Sequence, residues 1–176
     1  MGSHETFTAA VKHVLQVFQE CQITYALAGG LAYSALVEPR ATLDLDFLIL
    51  LPNEAIRDFW RRLENHFESL LVHQAPMQFA RATIWRAVSF QNGRELILDF
   101  LLADSPFHQN ALQRALTLDF LGSTLKVVTL EDLVLLKKCA NRPQDLADLA
   151  KIHAMFQETL DHAYLAYWAQ ALHLTL

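Results

Sequence analysis

Three aspartates sit where a chain normally keeps only apolar side chains. Asp44 and Asp46 interrupt the run "ATLDLDFLILL", and Asp99 interrupts "LILDFLL". Both stretches read as β-strands, and the first is so continuously apolar that it suits a central position covered on both faces. Burying one ionised carboxylate is costly, and burying two of like charge is worse unless a cation compensates. Alternate residues of a strand leave the same face, so Asp44 and Asp46 point one way while Leu43, Leu45 and Phe47 point the other. Oxygen-only donors of this kind suit Mg²⁺ or Mn²⁺, which keep waters and take phosphate oxygens as further ligands. The competing reading is a strand end whose aspartates are solvated or paired with Arg40.

A glycine pair strengthens the first reading. Gly29 and Gly30 stand at a strand-to-helix junction, and Gly30 precedes Asp44 by fourteen residues. Missing side chains let a polyanion approach the backbone, and the N–H groups of a helix start attract phosphate. On its own such a pair is more often a turn. Asp99, if its strand lies beside the first, completes a three-carboxylate cluster on one sheet; Asp104 is the alternative third acid.

The elements that must position these groups are legible in part. "ETFTAAVKHVLQVFQEC" has helical periodicity at Val11, Val14, Leu15 and Phe18. "ITYALAG" reads as a strand running into the glycines. A short helix, "LAYSALV", follows and stops before Pro39. Beyond the acidic strand, Pro52 and Asn53 introduce a helix from about Glu54 to Leu70. The segment "LLVHQAPMQFARATIWRAVSF" reads as strand pieces around an irregular or short helical stretch. "RAVSFQNGRELILDFLLA" is a hairpin about Asn92-Gly93, the dipeptide typical of a tight type I′ turn. Pro106 opens a helix around "HQNALQRAL", and "STLKVVT" is strand-like. Thr129 caps the next helix with Asp132 three residues on. The remainder is helical: "LEDLVLLKKCA", "RPQDLADLAKIHAMF" and "ETLDHAYLAYWAQALHL". The expected organisation is an α/β core over residues 1–105 and a mainly helical part over 106–176, packed as one structural domain.

Composition narrows the class of protein. The chain has 176 residues, 53% of them hydrophobic, and a net charge of −5, which suits a globular domain with a sizeable core. A mildly acidic chain is a poor binder of long duplex nucleic acid, which needs a clustered basic face. Cys21 and Cys139 lie far apart without metal-ligand spacing and read as reduced thiols. No uninterrupted apolar stretch reaches membrane-spanning length, and the start lacks the features of a signal peptide, so a cytoplasmic location is expected. The eight histidines form no ligand motif. Trp60, Trp85 and Trp168 read as core or interface anchors, and Tyr164, Tyr167 and Trp168 on the last helix point to a homodimer contact or a protein partner.

The order Gly-Gly, Asp-x-Asp, then a distal Asp in a strand resembles the nucleotidyltransferase fold of the DNA polymerase beta superfamily. The gap between glycines and acids sits at the long end of that family's range. "PRATLDLDFLI" is similar to the Arg-x-Thr-x-Asp-x-Asp version found in the small bacterial AbiEii-type group. The tail "STLKVVTLEDLVLLKKCANRPQDLADLAKI" resembles the region that follows the third acid in those proteins. The resemblance covers residues 22–153. It implies an α/β (α+β) fold with a short mixed sheet flanked by helices and a helical C-terminal extension. It also implies transfer of a nucleoside monophosphate from an NTP to an acceptor hydroxyl, on a small molecule, an RNA end or a protein.

Carried over position by position, the resemblance makes Gly29 and Gly30 the triphosphate cradle. Asp44, Asp46 and Asp99 become the catalytic acids and ligands of Mg²⁺ or Mn²⁺, with Asp99 completing a second metal site or accepting the proton of the attacking hydroxyl. Thr42 is a donor to phosphate or to a carboxylate. Arg40 is either a triphosphate contact or an ion-pair partner of the aspartates. Lys137 and Arg142 either reach the triphosphate from the tail or are solvated helix charges. Asp145 and Asp148 have a structural explanation as a helix cap and a partner of Lys151. Two other readings stand beside this one: a catalytically silent nucleotide- or protein-binding module, such as half of a toxin–antitoxin pair, and a carboxylate–metal hydrolase of phosphate esters.

Overall fold

A computed structural model describes residues 2–42, 44–91, 94–120 and 122–175. Helix α1 (Gly2–Glu20) leads into strand β1 (Thr24–Leu27), helix α2 (Gly29–Leu36) and strand β2 (Asp44–Leu50). A 3-10 turn at Asn53–Ala55 opens α3 (Ile56–Glu64), followed by β3 (Leu70–Val72), β4 (Met77–Phe79), β5 (Ala82–Gln91) and β6 (Arg94–Leu102). Then come α4 (Pro106–Arg114), β7 (Leu116–Phe120), β8 (Ser123–Val127), α5 (Leu130–Ala140), α6 (Pro143–Phe156) and α7 (His162–Ala171).

All eight strands join one mixed sheet in the order β3-β5-β6-β2-β1-β8-β7, with β4 also paired to β5. Strand β2 is central, antiparallel to β1 and parallel to β6. That position explains its apolar run, because both faces are covered. On one face Phe18 of α1 meets Phe47 with ring centroids 5.1 Å apart, and Phe59 of α3 meets Phe100 at 5.2 Å. Asp44 and Asp46 leave the opposite face by alternation, while Leu45 and Phe47 are fully buried. Leu43 and the Asn92-Gly93 turn lie outside the described residues.

The sheet is wider than the sequence implies, and the region beyond residue 105 contributes to it: β8 runs parallel to β1 and β7 forms the edge. The helix expected to reach Leu70 ends at Glu64, since Leu70 is taken into the sheet opposite Ser89. The segment read as strand pieces around an irregular or short helical stretch is β3 and β4, paired one after the other along the same edge of β5, without a helix. Helix α7 starts later than the pattern suggests, at His162, where Asp161 caps it by accepting from the Tyr164 N–H. Thr129 caps α5 and accepts from the Asp132 N–H. Of the three aromatics on the last helix, Tyr167 is exposed, whereas the Tyr164 hydroxyl bonds Asp132 and Asn110 and Trp168 packs against Phe107. Trp60 is buried and Trp85 donates to the His73 carbonyl. Cys21 and Cys139 are free thiols. Among the described residues, no helix is long and apolar enough to cross a membrane.

Candidate active site

Strand pairing alone brings the acids together. Asp46 on β2 lies opposite Asp99 on β6, and Asp99 lies opposite Arg86 on β5, so the three form a row across adjacent strands. Asp44 is one step along, opposite Ile97. Asp104 stands beyond the end of β6, where it accepts from Thr83 Oγ1 at 2.7 Å, and is not the third acid of this row.

The glycines meet the acids directly. Helix α2 begins at Gly29 itself, directly after β1, and its Ala28 N-cap supplies no side-chain acceptor. The first N–H groups of a helix lack intrahelical partners, and here the Gly30 N–H points at Asp46 Oδ2, 3.4 Å away. Gly29 has φ +58°, in the region that favours glycine, and a Cβ there would fall 2.0 Å from Asp46 Oδ2. A Cβ on Gly30 would lie 2.9 Å from Thr42 Oγ1 and 3.0 Å from Arg40 Nη2. The chain is therefore shaped so that Asp46, Thr42 and Arg40 close around a bare helix start.

Asp44 and Asp46 resist ionisation. Burial, then the charges of Asp99 and Asp44, push the Asp46 carboxyl up to about 6. Burial and Asp99 also raise Asp44, against the pull of Arg86 and Arg142. Asp99 is gripped by Arg86, whose Nε and Nη2 donate to its two oxygens at 2.7 Å each. Among the described residues, no three carboxylate, imidazole or thiol groups converge as a ready metal-ligand set. The donor chemistry nevertheless fits a hard divalent cation, because two half-buried carboxylates with raised affinity for protons lack a full counter-charge. Both oxygens of Asp99 are taken up by Arg86.

The remaining predicted residues divide. Arg40 does not pair with Asp44 or Asp46. Its Nη1 donates to both oxygens of Asp148, at 2.9 and 3.1 Å, and its guanidinium lies over the Tyr33 ring. Thr42 precedes β2, which starts at Asp44, and its hydroxyl bonds the backbone of Asp44. Lys137 is not a solvated helix charge. It is 4% exposed, with Nζ 2.5 Å from Asp148 and 3.3 Å from Asp145. Arg142 is exposed at the start of α6, where its Nε donates to Asp145 at 2.7 Å and its charge is felt by Asp46 and Asp44. Burial opposes ionisation of Asp145, yet Arg142 and Lys137 hold its carboxyl below the ordinary range. Asp145 does cap α6, accepting from the Arg142 N–H, but Lys151 pairs with Glu38 and leaves Asp148 to Arg40 and Lys137. Two acids and three cations thus form one network that ties the segment after α2 to α5 and α6, beside the glycines.

Arg86 was not foreseen, although a signal for it existed. Counting outward in equal steps from the pair Gln91 and Arg94 places Arg86 opposite Asp99. Gln144, which donates to Asp148 at 3.0 Å, carried no such signal.

The fold is that of known nucleotidyltransferases. The antibiotic-resistance factor ANT(2'')-Ia, in its solution structure, matches with a TM-score of 0.60 at 14% identity over 96% of each chain. Its crystal structure with adenylyl-2''-tobramycin matches at 0.57, with 14% identity over 96% of this chain and 97% of that one. A Thermotoga maritima protein classed with the nucleotidyltransferases matches at 0.57, with 12% identity over 86% of this chain and 94% of its own. At such identities the likeness is one of fold. No curated protein sequence matches the chain significantly. Residues 14–175 match the family described as "Nucleotidyl transferase AbiEii toxin, Type IV TA system". Its fold and that match over most of its length make this chain a member of the AbiEii nucleotidyltransferase family.

Proposed function

We propose that the protein transfers a nucleoside monophosphate from an NTP to an acceptor hydroxyl, with Mg²⁺ or Mn²⁺ held by Asp44, Asp46 and Asp99. The observation that carries this reading is the contact between Asp46 and the Gly29-Gly30 helix start. It puts a metal-type carboxylate and a phosphate-type backbone cradle side by side.

In the reaction, the acceptor oxygen forms a bond to the α-phosphorus while the bond from that phosphorus to the β-phosphate bridging oxygen breaks, releasing pyrophosphate. When bound, the cation supplies neutralisation of charge on the transferring group. The N–H groups of Gly29 and Gly30 orient the phosphates. Arg142, exposed beside the acids, and Arg40, at the glycines, add positive charge where the leaving pyrophosphate gathers negative charge. Asp99 serves either as a further ligand or as the acceptor of the hydroxyl proton. Lys137 holds Asp145 and Asp148 in place for the two arginines.

For the acceptor, we put small hydroxyl-bearing compounds first in a panel, because the fold neighbour ANT(2'')-Ia is seen with an adenylylated tobramycin. RNA ends and protein side chains follow, and the family description supports an antitoxin-type protein partner. A second reading, a silent nucleotide-binding module, draws on the Arg86 grip on Asp99.

Calorimetric titration of each NTP, with and without Mg²⁺, against wild type and Asp44→Asn/Asp46→Asn tests the proposal. Metal-dependent binding lost in the double variant supports it. Absence of binding to every NTP by folded wild type sinks it. Binding without transfer to any acceptor class favours the silent module.

A further inference from the structure

The row Asp46, Asp99, Arg86 crosses three neighbouring strands, and its third member is a cation built into the sheet. Both bonds of the Arg86–Asp99 pair are 2.7 Å, a two-pronged geometry that occupies both carboxylate oxygens. The pair is not a loose surface bridge. The Asp99 side chain is 11% exposed, and Arg86 is fixed opposite it by strand register. Arg86 also lies close enough to Asp44 and Asp46 to feel their charge.

We infer that Arg86 is a positioning residue that withholds Asp99 from a divalent cation until nucleotide is present. This rests on the reading that the three acids hold that cation. A cation arriving alone must displace a guanidinium that then has no partner, and must bind beside its positive charge. A cation arriving on a triphosphate brings anionic oxygens that can take over the guanidinium in the same two-pronged manner. Metal and nucleotide therefore bind together strongly and metal alone binds weakly. The resting protein avoids a tightly held ion in a site whose acids would otherwise collect one.

Mn²⁺ titration followed by electron paramagnetic resonance, on nucleotide-free protein, tests this. Arg86→Gln is expected to bind Mn²⁺ on the order of tenfold to a hundredfold tighter than wild type, the scale on which a charge-assisted pair competes. Arg86→Gln/Asp99→Asn is expected to lose that gain. An Arg86→Gln protein that keeps its circular dichroism and binds Mn²⁺ no tighter than wild type overturns the inference, as does a gain that survives loss of Asp99. If Arg86→Gln does not fold, Arg86→Lys keeps the charge and gives up the two-pronged grip. A few-fold tightening is then expected, and none overturns the inference. Because these titrations contain no nucleotide, they are read independently of whether wild type binds an NTP, which is the test of the transferase reading.

Discussion

Replacing Gly29 by alanine isolates the contact on which the site is built. The backbone there has φ +58°, and holding an L-residue in that region costs roughly 1–2 kcal/mol. The new methyl would also lie 2.0 Å from Asp46 Oδ2, 2.4 Å from its Cγ and 2.6 Å from its Cβ. Turning the carboxylate away removes the first two conflicts only. The Cβ is fixed to β2, so either the central strand or the start of α2 must shift, at an overpacking cost of about 1–3 kcal/mol. Together the loss is about 2–5 kcal/mol, and at roughly 2–4 °C per kcal/mol for a chain of this size the melting temperature falls by about 10 °C. Gly30→Ala is the matched control. Its neighbours are Thr42 Oγ1 at 2.9 Å and Arg40 Nη2 at 3.0 Å, which can retreat, and Thr42 Cβ at 3.2 Å, which has to give by only a few tenths of an ångström, so its cost stays within about 1 kcal/mol. Urea unfolding of both variants measures the difference. In the cycle with Asp46→Ala, the double variant recovers part of the loss but not all, because the Asp46 Cβ remains. A Gly29→Ala protein within about 1 kcal/mol of wild type, or equal in cost to Gly30→Ala, refutes the geometry.

Further outcomes follow from the charges. The Asp46 carboxyl is raised to about 6 in the folded chain, above its ordinary value of 3.8, so the folded state takes up the proton first and ionisation of Asp46 destabilises it. Relative to Asp46→Asn, wild type loses about 2–3 kcal/mol as pH rises through about 4 to 6, and the loss levels off near pH 7. Urea unfolding of the pair across that range, without divalent metal, checks this; a pH-independent difference contradicts it. Lys137→Met removes the buried cation between Asp145 and Asp148 and is expected to cost about 2–4 kcal/mol by thermal denaturation, with Arg40 and Arg142 limiting the damage. Tyr164→Phe takes the hydroxyl away from buried Asp132 and from Asn110, and is expected to cost about 1–3 kcal/mol with an unchanged urea dependence.

The legible parts of this chain are those where local chemistry and global position agree. Alternation in "DLDFLIL" fixes which way Asp44 and Asp46 face, whatever their neighbours are, and Pro39 ends α2 by local sterics. Strand β7 went unread although "LTLDF" alternates apolar and polar residues, with Thr117 and Asp119 exposed and Leu118 and Phe120 partly buried, because its apolar residues run on directly from the helical pattern of α4. Leu70 continues the apolar spacing of α3, and pairing with β5 overrides that spacing. The burial of Lys137 is also a tertiary matter. On α5 it has the look of a surface charge, and only the return of α6 brings Asp145 and Asp148 against it.

The aspartates themselves show why an apolar strand can carry charge without collapsing. Each is compensated by something the strand does not contain. Asp46 leans on the Gly30 N–H, Asp99 is held by Arg86 from the next strand over, and Asp44 feels Arg86 and Arg142. The compensation is incomplete, since Asp44 and Asp46 both hold protons more readily than ordinary carboxyls. That residual deficit of positive charge is what a divalent cation would relieve, so the site stores in its resting state part of the driving force for binding. A site with every acid fully paired would be more stable and would have less to gain from metal and nucleotide. The same reasoning assigns Arg86 its opposite role, because the one acid that is fully paired is the one whose release must wait.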